Sequence, residues 1–366
     1  MNLFYTDMDL ARNEEKRKAI KDTLSDLKES TPWDIFLPIM KKAFQKKPPK
    51  APGGRPAFSM IIMLKILILQ RVYNLSDDQM EYQILDRNSF KDFLDLKADA
   101  SVPDAKTIWY YRNQLAQNKY DLELFKAFHD YLEKTGKIVK QGVLVDASFV
   151  EVPKAHFTKE EKEEMQSQES SEEGSDSEGN QQKTEEKPQE PPKTPQEIHR
   201  QRQMDRDARW TQKHGKSYFG YKNHVKVDVK SKLVTGYKVT PASVNDSPVL
   251  PDLIKPASEK GQEVYADKGY TSDNNSVYLK ANKMKDRILK KAARGRPLTE
   301  SEKLHNKELS KIRARVEHVF GFMENSMNGM RQRAKGLTRI SFITGTMNLT
   351  YNIMRYEYLC RGRSAQ

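Results

Sequence analysis

The feature that most limits the folds open to this chain is a change of period near Lys137. From about Leu3 to that point apolar residues recur at spacings of three and four, the pattern of amphipathic helices. Beyond it, Ile138 to Val152 is a β-branched run broken only by Gln141-Gly142, and Tyr218 to Val239 reads as a hairpin turning near Lys230-Ser-Lys232. A shorter apolar run, Glu263 to Ala266, ends directly on Asp267. A helix then starts near Thr299 and carries Leu309, Ile312, Val316, Val319, Phe320 and Met323 as one apolar stripe. Helices first and mixed strands and helices after predict an α/β core behind an all-α N-terminal domain.

Local signals refine this outline. Ser76-Asp-Asp-Gln79 has the capping-box form, and Asp104 is placed to cap a helix through Ile108, Trp109 and Leu115. Gly53-Gly-Arg-Pro56 is a break separating a basic leader, Lys41 to Lys50, from the bundle. The apolar run from Met60 to Leu69 is too short to span a bilayer and contains Lys65, so a buried helix is expected. Short helices ending in one with Lys106, Thr107, Tyr110 and Arg112 suit a helix-turn-helix reader of a DNA major groove. A plain bundle with Trp109 and Tyr111 in its core accounts for the same residues.

Charge is unevenly spread. The chain carries a net +13, yet from Lys159 to Lys193 it holds 12 acidic and 5 basic residues, while from Ala281 onward it holds 19 basic and 7 acidic. The basic excess points to a polyanionic partner, because each Lys or Arg set against a phosphate releases a counterion. The stretch from Thr158 to about Pro195 is rich in Glu, Ser, Gln, Lys and Pro and almost free of large apolar side chains. Such a composition cannot bury enough surface to offset its ordering entropy, so residues 158–195 are expected to be a disordered acidic insertion at a surface turn. The single cysteine, Cys360, excludes an intramolecular disulfide and a cysteine zinc site. With no visible signal peptide, the expectation is a cytoplasmic protein.

Two strands end on an acid, Asp146 in Val143-Leu-Val-Asp and Asp267 in Val264-Tyr-Ala-Asp, and a third acid, Glu317, lies on the striped helix one turn after Arg313. Carboxylates from separate elements can hold Mg²⁺ ions that activate the attacking oxygen and stabilise the leaving oxygen of a phosphodiester. An acid placed among Val and Leu is costly without a cation. Turn-forming Asp residues and an Arg313–Glu317 surface pair are the plainer readings. Asp246, in Ser243-Val-Asn-Asp-Ser-Pro248, rivals Asp267 but fits better as a helix N-cap. His224 and His318 lack partners at ligand spacing and read as structural histidines.

In this order the blocks resemble the DDE transposases of bacterial insertion sequences, in the superfamily of insertion sequences four and five. The N-terminal part shares Gly54-Arg-Pro, Tyr73-Asn-Leu-Ser-Asp-Asp78 and Val102-Pro-Asp-Ala-Lys-Thr107 with that family. The remainder shares Val145-Asp-Ala-Ser-Phe-Val-Glu-Val-Pro153, Tyr218-Phe-Gly-Tyr-Lys-Asn-His224, Ala242-Ser-Val-Asn-Asp246 and Asp267-Lys-Gly-Tyr270. The resemblance implies a ribonuclease H-like catalytic domain over 137–357, a helical DNA-binding domain over 1–136 and a basic tail over 358–366. It implies Asp146, Asp267 and Glu317 as catalytic and metal-holding acids, with Mg²⁺ (or Mn²⁺) as cofactor. Arg313 matches the arginine of the family's C-terminal signature, but Ser310 stands where that signature has Tyr and Glu324 where it has Lys.

The expected activity is binding of an element's terminal inverted repeats, strand cleavage to a 3′-OH and transfer to target DNA, by a homodimer or larger assembly on double-stranded DNA. Lys106, Arg112, Lys222, Arg313, Arg331, Arg333 and Lys335 are the expected DNA contacts. Two rivals are a DNA-binding regulator derived from a transposase but without catalysis, and a nuclease of the same fold that cuts without joining.

Overall fold

Capping and apolar period together produce the N-terminal layer of the computed structural model, which describes residues 12, 15–16, 23–44, 57–97, 99–154, 204–213, 215–292 and 295–361. The Gly53 break, most of the basic leader and the 158–195 segment lie outside the described residues. Helices α1 (Thr23–Ser30), α2 (Leu37–Ala43), α3 (Met60–Tyr73), α4 (Asp77–Asp86), α5 (Asn88–Phe93), α6 (Ala105–Gln117) and α7 (Tyr120–Lys134) follow in order. The Ser76 hydroxyl accepts from the Gln79 N–H while the Gln79 side chain accepts from the Ser76 N–H, closing the capping box that opens α4. Asp104 accepts from the Thr107 N–H at 2.7 Å and opens α6. Helix α3 is apolar almost all round and is buried from Met63 to Arg71. Lys65 is tolerated inside it because its ammonium donates to Asp95 at 2.6 Å and to the Phe93 carbonyl at 3.2 Å.

Strands β1 (Val143–Glu151), β2 (Arg209–Lys213), β3 (Lys216–Asp228), β4 (Val234–Pro241), β5 (Glu263–Ala266) and β6 (Lys285–Ile288) form one six-stranded sheet. β3 is long enough to take β2 and then β4 along one edge while β1 pairs with the other. β1, β5 and β6 are parallel to one another, and β3 is antiparallel to β1. Across the core strands the order is β4-β3-β1-β5-β6, a ribonuclease H-like sheet. Short helices α8 (Leu250–Leu253) and α9 (Pro256–Glu259) precede β5, and α10 (Asp273–Ala281) precedes β6. Side chains on successive strand residues face opposite sides. Val143, Val145, Val264 and Ala266 accordingly pack with Leu250, Leu253, Ile254 and Leu279, whereas Leu144, Val225 and Val227 belong to the larger core on the other side.

That larger core joins the sheet to the N-terminal helices through α11 (Glu300–Gly321) and α12 (Leu337–Cys360). The change from helices to strands falls where the sequence places it, yet one apolar cluster crosses it, with Phe36, Leu67 and Phe128 in the same core as Val225 and Ile353. Residues 358–360, expected in a tail, are instead the last turn of α12.

α12 is buried along most of its length and carries polar side chains where an apolar stripe would be expected. Most of these polar groups are hydrogen-bonded, the buried Thr344 hydroxyl being an exception among the described residues. Asn348 and Asn223 exchange amide hydrogen bonds at 3.0 and 3.1 Å. Asn352 accepts from the Val234 N–H at 2.8 Å and donates to the Val234 carbonyl at 2.7 Å, pairing with β4 as a strand residue would. Gly345 lies over the hydrogen bond from Tyr237 on β4 to Asp121 on α7, 2.6 Å long, and a β-carbon there would overlap both groups. Among the described residues no helix is long and apolar enough to cross a membrane.

Replacing Asn352 by Leu strands a buried N–H and a buried carbonyl, and is expected to lower stability in urea denaturation by about 2–4 kcal/mol. Gly345→Ala should cost about 1–3 kcal/mol by the same measurement, through forced displacement of the Tyr237–Asp121 bond.

Candidate active site

Strand register assembles the site. Val145 of β1 pairs in parallel with Ala266 of β5, so the residues that follow, Asp146 and Asp267, emerge side by side on neighbouring strands. Helix α11, opened by a capping box between Thr299 and Glu302, lies against β1. From it the Arg313 Nη2 donates to Asp146 Oδ2 at 2.8 Å, and the Ala147 N–H donates to Asp146 Oδ1 at 2.8 Å. Only 15% of the Asp146 side chain is exposed. Burial pushes its pKa up and the nearby charge of Asp267 adds to the rise, against the opposing effects of Arg313 and the Ala147 N–H. Arg313 Nε is buried without a hydrogen-bond partner among the described residues.

Asp267 heads a tight turn, Lys268–Tyr270, and its Oδ1 accepts from the Gly269 N–H at 2.7 Å. The turn-forming role and the position beside Asp146 therefore belong to one residue. Glu317 sits one helical turn beyond Arg313, about 6 Å along the axis, and is exposed, with no hydrogen bond joining it to Asp146, Asp267 or Arg313. Ser310 donates back to the Asn306 carbonyl at 2.8 Å. Glu324 is exposed in the π-helical turn Phe322–Ser326 that ends α11.

Several expectations are corrected. Asp246 occupies an N-cap position but makes no side-chain capping bond; its Oδ1 accepts from Lys222 Nζ at 2.9 Å. Pro248, two residues on, lacks one of the N–H groups that such a cap would use. Lys222, expected on a basic surface, is buried, and its ammonium also donates to the Val244 carbonyl at 2.7 Å. Arg112, expected to face DNA, forms a two-pronged pair with Asp77 on α4, one contact at 2.7 Å. On the same helix Tyr111 is buried as a core aromatic, whereas Trp109 and Tyr110 are exposed beside exposed Lys106.

Arg331 and Arg333 are exposed and Lys335 is half-buried. Their segment is tied to the end of β1 by the Glu151 backbone, whose N–H donates to the Met330 carbonyl at 2.8 Å and whose carbonyl accepts from the Gln332 N–H at 2.9 Å. Glu151 is five residues past Asp146, about 16 Å along the strand.

His224 is fully buried, with Nδ1 3.2 Å from the Tyr270 hydroxyl and Nε2 2.9 Å from the Thr240 hydroxyl, which confirms the structural reading. Burial pushes the Tyr270 hydroxyl well above its ordinary pKa, and the charges of Asp246, Asp146 and Asp267 add to that rise. His129, Asp130 and Glu133 form a separate group with ligand atoms near one another, all on α7, where Glu133 is already paired with Lys140. Sequence reasoning missed the Lys222–Asp246 pair and Asn275, which donates to the Ser247 and Tyr270 carbonyls at 2.9 and 2.8 Å. Pro248 was the one available hint.

A ribonuclease H-like sheet presenting two adjacent carboxylates defines a class of phosphodiester-processing folds; Asp267 follows the end of β5, whereas Asp146, expected near a strand end, lies within β1, which runs on to Glu151 against β3. Residues 137–353 match the family described as the transposase DDE domain, and residues 12–114 match a second, described as a transposase domain (DUF772). The first match covers more than half of the chain, which belongs to the DDE transposase family. Among solved structures, the Mos1 strand transfer complex shares 11% identity over 81% of this chain and 85% of that one, with a TM-score of 0.19. A pre-cleavage Mos1 transpososome shares 12% over 95% and 99%, with a TM-score of 0.20. Overlap that low carries no argument here.

His224 also yields a pH prediction. Burial, assisted by Lys222 and Lys238 and opposed by Asp246, lowers its pKa from 6.5 to about 4. Between those values the unfolded chain binds a proton that the folded chain refuses, so stability falls as pH drops from about 6.5 toward 4. The loss from this group should reach about 2 kcal/mol by pH 5, and His224→Gln should remove it, seen as a smaller difference between urea midpoints at pH 7 and pH 5.

Proposed function

We propose that this transposase binds the terminal inverted repeats of its insertion sequence, hydrolyses one strand at each end to leave a 3′-OH, and joins that end to target DNA. The observation that carries the reading is the side-by-side emergence of Asp146 and Asp267 from parallel strands, with Asp146 held largely buried against Arg313. The donor set fits a hard divalent cation, being carboxylate oxygen without thiolate. Asp146, Asp267 and Glu317 would hold Mg²⁺ or Mn²⁺, which supplies charge that activates the attacking oxygen and stabilises the leaving one.

The chain's own groups position the DNA. Arg313 offers a buried Nε without a partner, a donor suited to a phosphate oxygen beside Asp146. Arg331, Arg333 and Lys335 would grip the backbone about five strand residues away, a sequence-independent contact. The exposed face of α6, with Lys106, Trp109 and Tyr110, is the surface offered for recognition of the ends. Joining two ends requires at least two active sites, hence a homodimer or larger assembly on DNA.

The test uses labelled DNA carrying the element boundary, with Mg²⁺ or EDTA. Asp146→Asn, Asp267→Asn and Glu317→Gln should each lower cleavage by more than about a hundredfold while end binding persists. Full cleavage by the Asp267 variant would sink the assignment. Without metal, Asp146→Asn should melt no lower than the parent, since burial already disfavours the charged form. Mn²⁺ should raise the melting temperature of the parent and leave that of the variant unmoved.

A further inference from the structure

The turn that carries Asp267 is held from behind by a second carboxylate. Alternation along β1 and β3 sets Asp146 on the face of the sheet covered by α11. Lys222 and His224 lie on the opposite face, where Lys222 Nζ stands over the Phe149 ring. From that side Asp246 reaches the Asp267 turn. A β-carbon on Gly269 would sit 2.9 Å from Asp267 Oδ1 and 3.0 Å from Asp246 Oδ2, so both carboxylates crowd the same side of the glycine. A side chain at position 269 would have to displace one or both carboxylates.

The surrounding bonds make this a fixed assembly. Lys222 anchors the far oxygen of Asp246, leaving Oδ2 turned toward the turn. Asn275, 2% exposed, ties the segment after Asp246 to the carbonyl of Tyr270. Tyr270 meets His224, which in turn meets Thr240 of β4. The Asp267 carboxylate is thus oriented by Gly269, and Gly269 is backed by Asp246.

We propose that Asp246 is a positioning residue for Asp267: anchored by Lys222, it fixes the direction of the Asp267 carboxylate and adds negative potential behind it, strengthening divalent-metal binding without touching the ion. The proposal rests on the metal-dependent function above. The mechanism is that of an outer partner orienting a ligand, whose removal weakens metal affinity by about ten- to a hundredfold in known sites.

The test is Mn²⁺ binding to the full chain without DNA, by titration calorimetry, with thermal melting in EDTA alongside. Asp246→Asn keeps the shape and an acceptor for Lys222 but removes the charge. It is expected to weaken Mn²⁺ binding about tenfold, to raise the Mn²⁺ concentration for half-maximal cleavage by the same factor, and to leave melting in EDTA within a few degrees. Parental Mn²⁺ affinity in Asp246→Asn, or a loss of EDTA melting temperature with no change in affinity, overturns the proposal. Should that variant not fold, Asn275→Ala loosens the same segment, and unchanged affinity there overturns it equally. If the parent binds no Mn²⁺, or Asp267→Asn binds as the parent does, the metal-dependent function itself fails; if Asp267→Asn loses binding while Asp246→Asn keeps it, only this inference does.

Discussion

The pairing of the Asn352 amide with both backbone groups of Val234 fixes α12, the helix on which much of the N-terminal layer packs, against the sheet. A buried amide of this kind has large desolvation costs and is worth having only when each atom finds a partner. Here one side chain satisfies a strand residue in full, and Asn348 repeats the device on β3. Polar specificity therefore sets the docking register of α12, and apolar burial supplies the adhesion around it. The N-terminal helices pack against α12, and α7 also meets β4 directly through the Asp121–Tyr237 bond, so their orientation over the sheet depends on both.

The site works against the same interior that the asparagines exploit. Carboxylates side by side on adjacent central strands repel one another, and Asp146 is in addition largely withdrawn from water. The fold meets that cost with a cation on each face, Arg313 for Asp146 and Lys222 for Asp246. Among the described residues Asp267 has only the Gly269 N–H as a hydrogen-bond partner. Arg313 and Lys222 temper the flanking carboxylates without removing their field, and Asp267 has no cation of its own among the described residues, so a divalent cation would gain most there.

Much of this was readable from residues alone, for physical reasons. Ser76, Asp104 and Thr299 announce helices because their side chains satisfy particular orphaned N–H groups, and all three do so in the fold. Asp146 and Asp267 were legible because an acid ending a short apolar run has few plain uses. α12 was not, since a helix buried on every side has no amphipathic period to read and its Asn and Thr residues look solvent-facing. Lys222 and Arg112 were assigned to DNA because charge in a sequence says nothing about where its partner lies. Lys222 meets Asp246 across 24 positions and Arg112 meets Asp77 across 35. β2 went unnoticed because its polar, half-exposed residues pair with only the first part of β3.

The placement of α12 has a consequence for the chain as it is made. Residues 337–360 supply the centre against which α1, α3, α6 and α7 pack, so the first third of the protein cannot close its own core as it leaves the ribosome. Contacts so distant in sequence form late and leave apolar faces uncovered meanwhile. A polypeptide interrupted anywhere before residue 337 would lack the element that joins the helical layer to the sheet. Formation of the carboxylate site is thereby tied to the synthesis of residues 337–360, long after its own acids have been made.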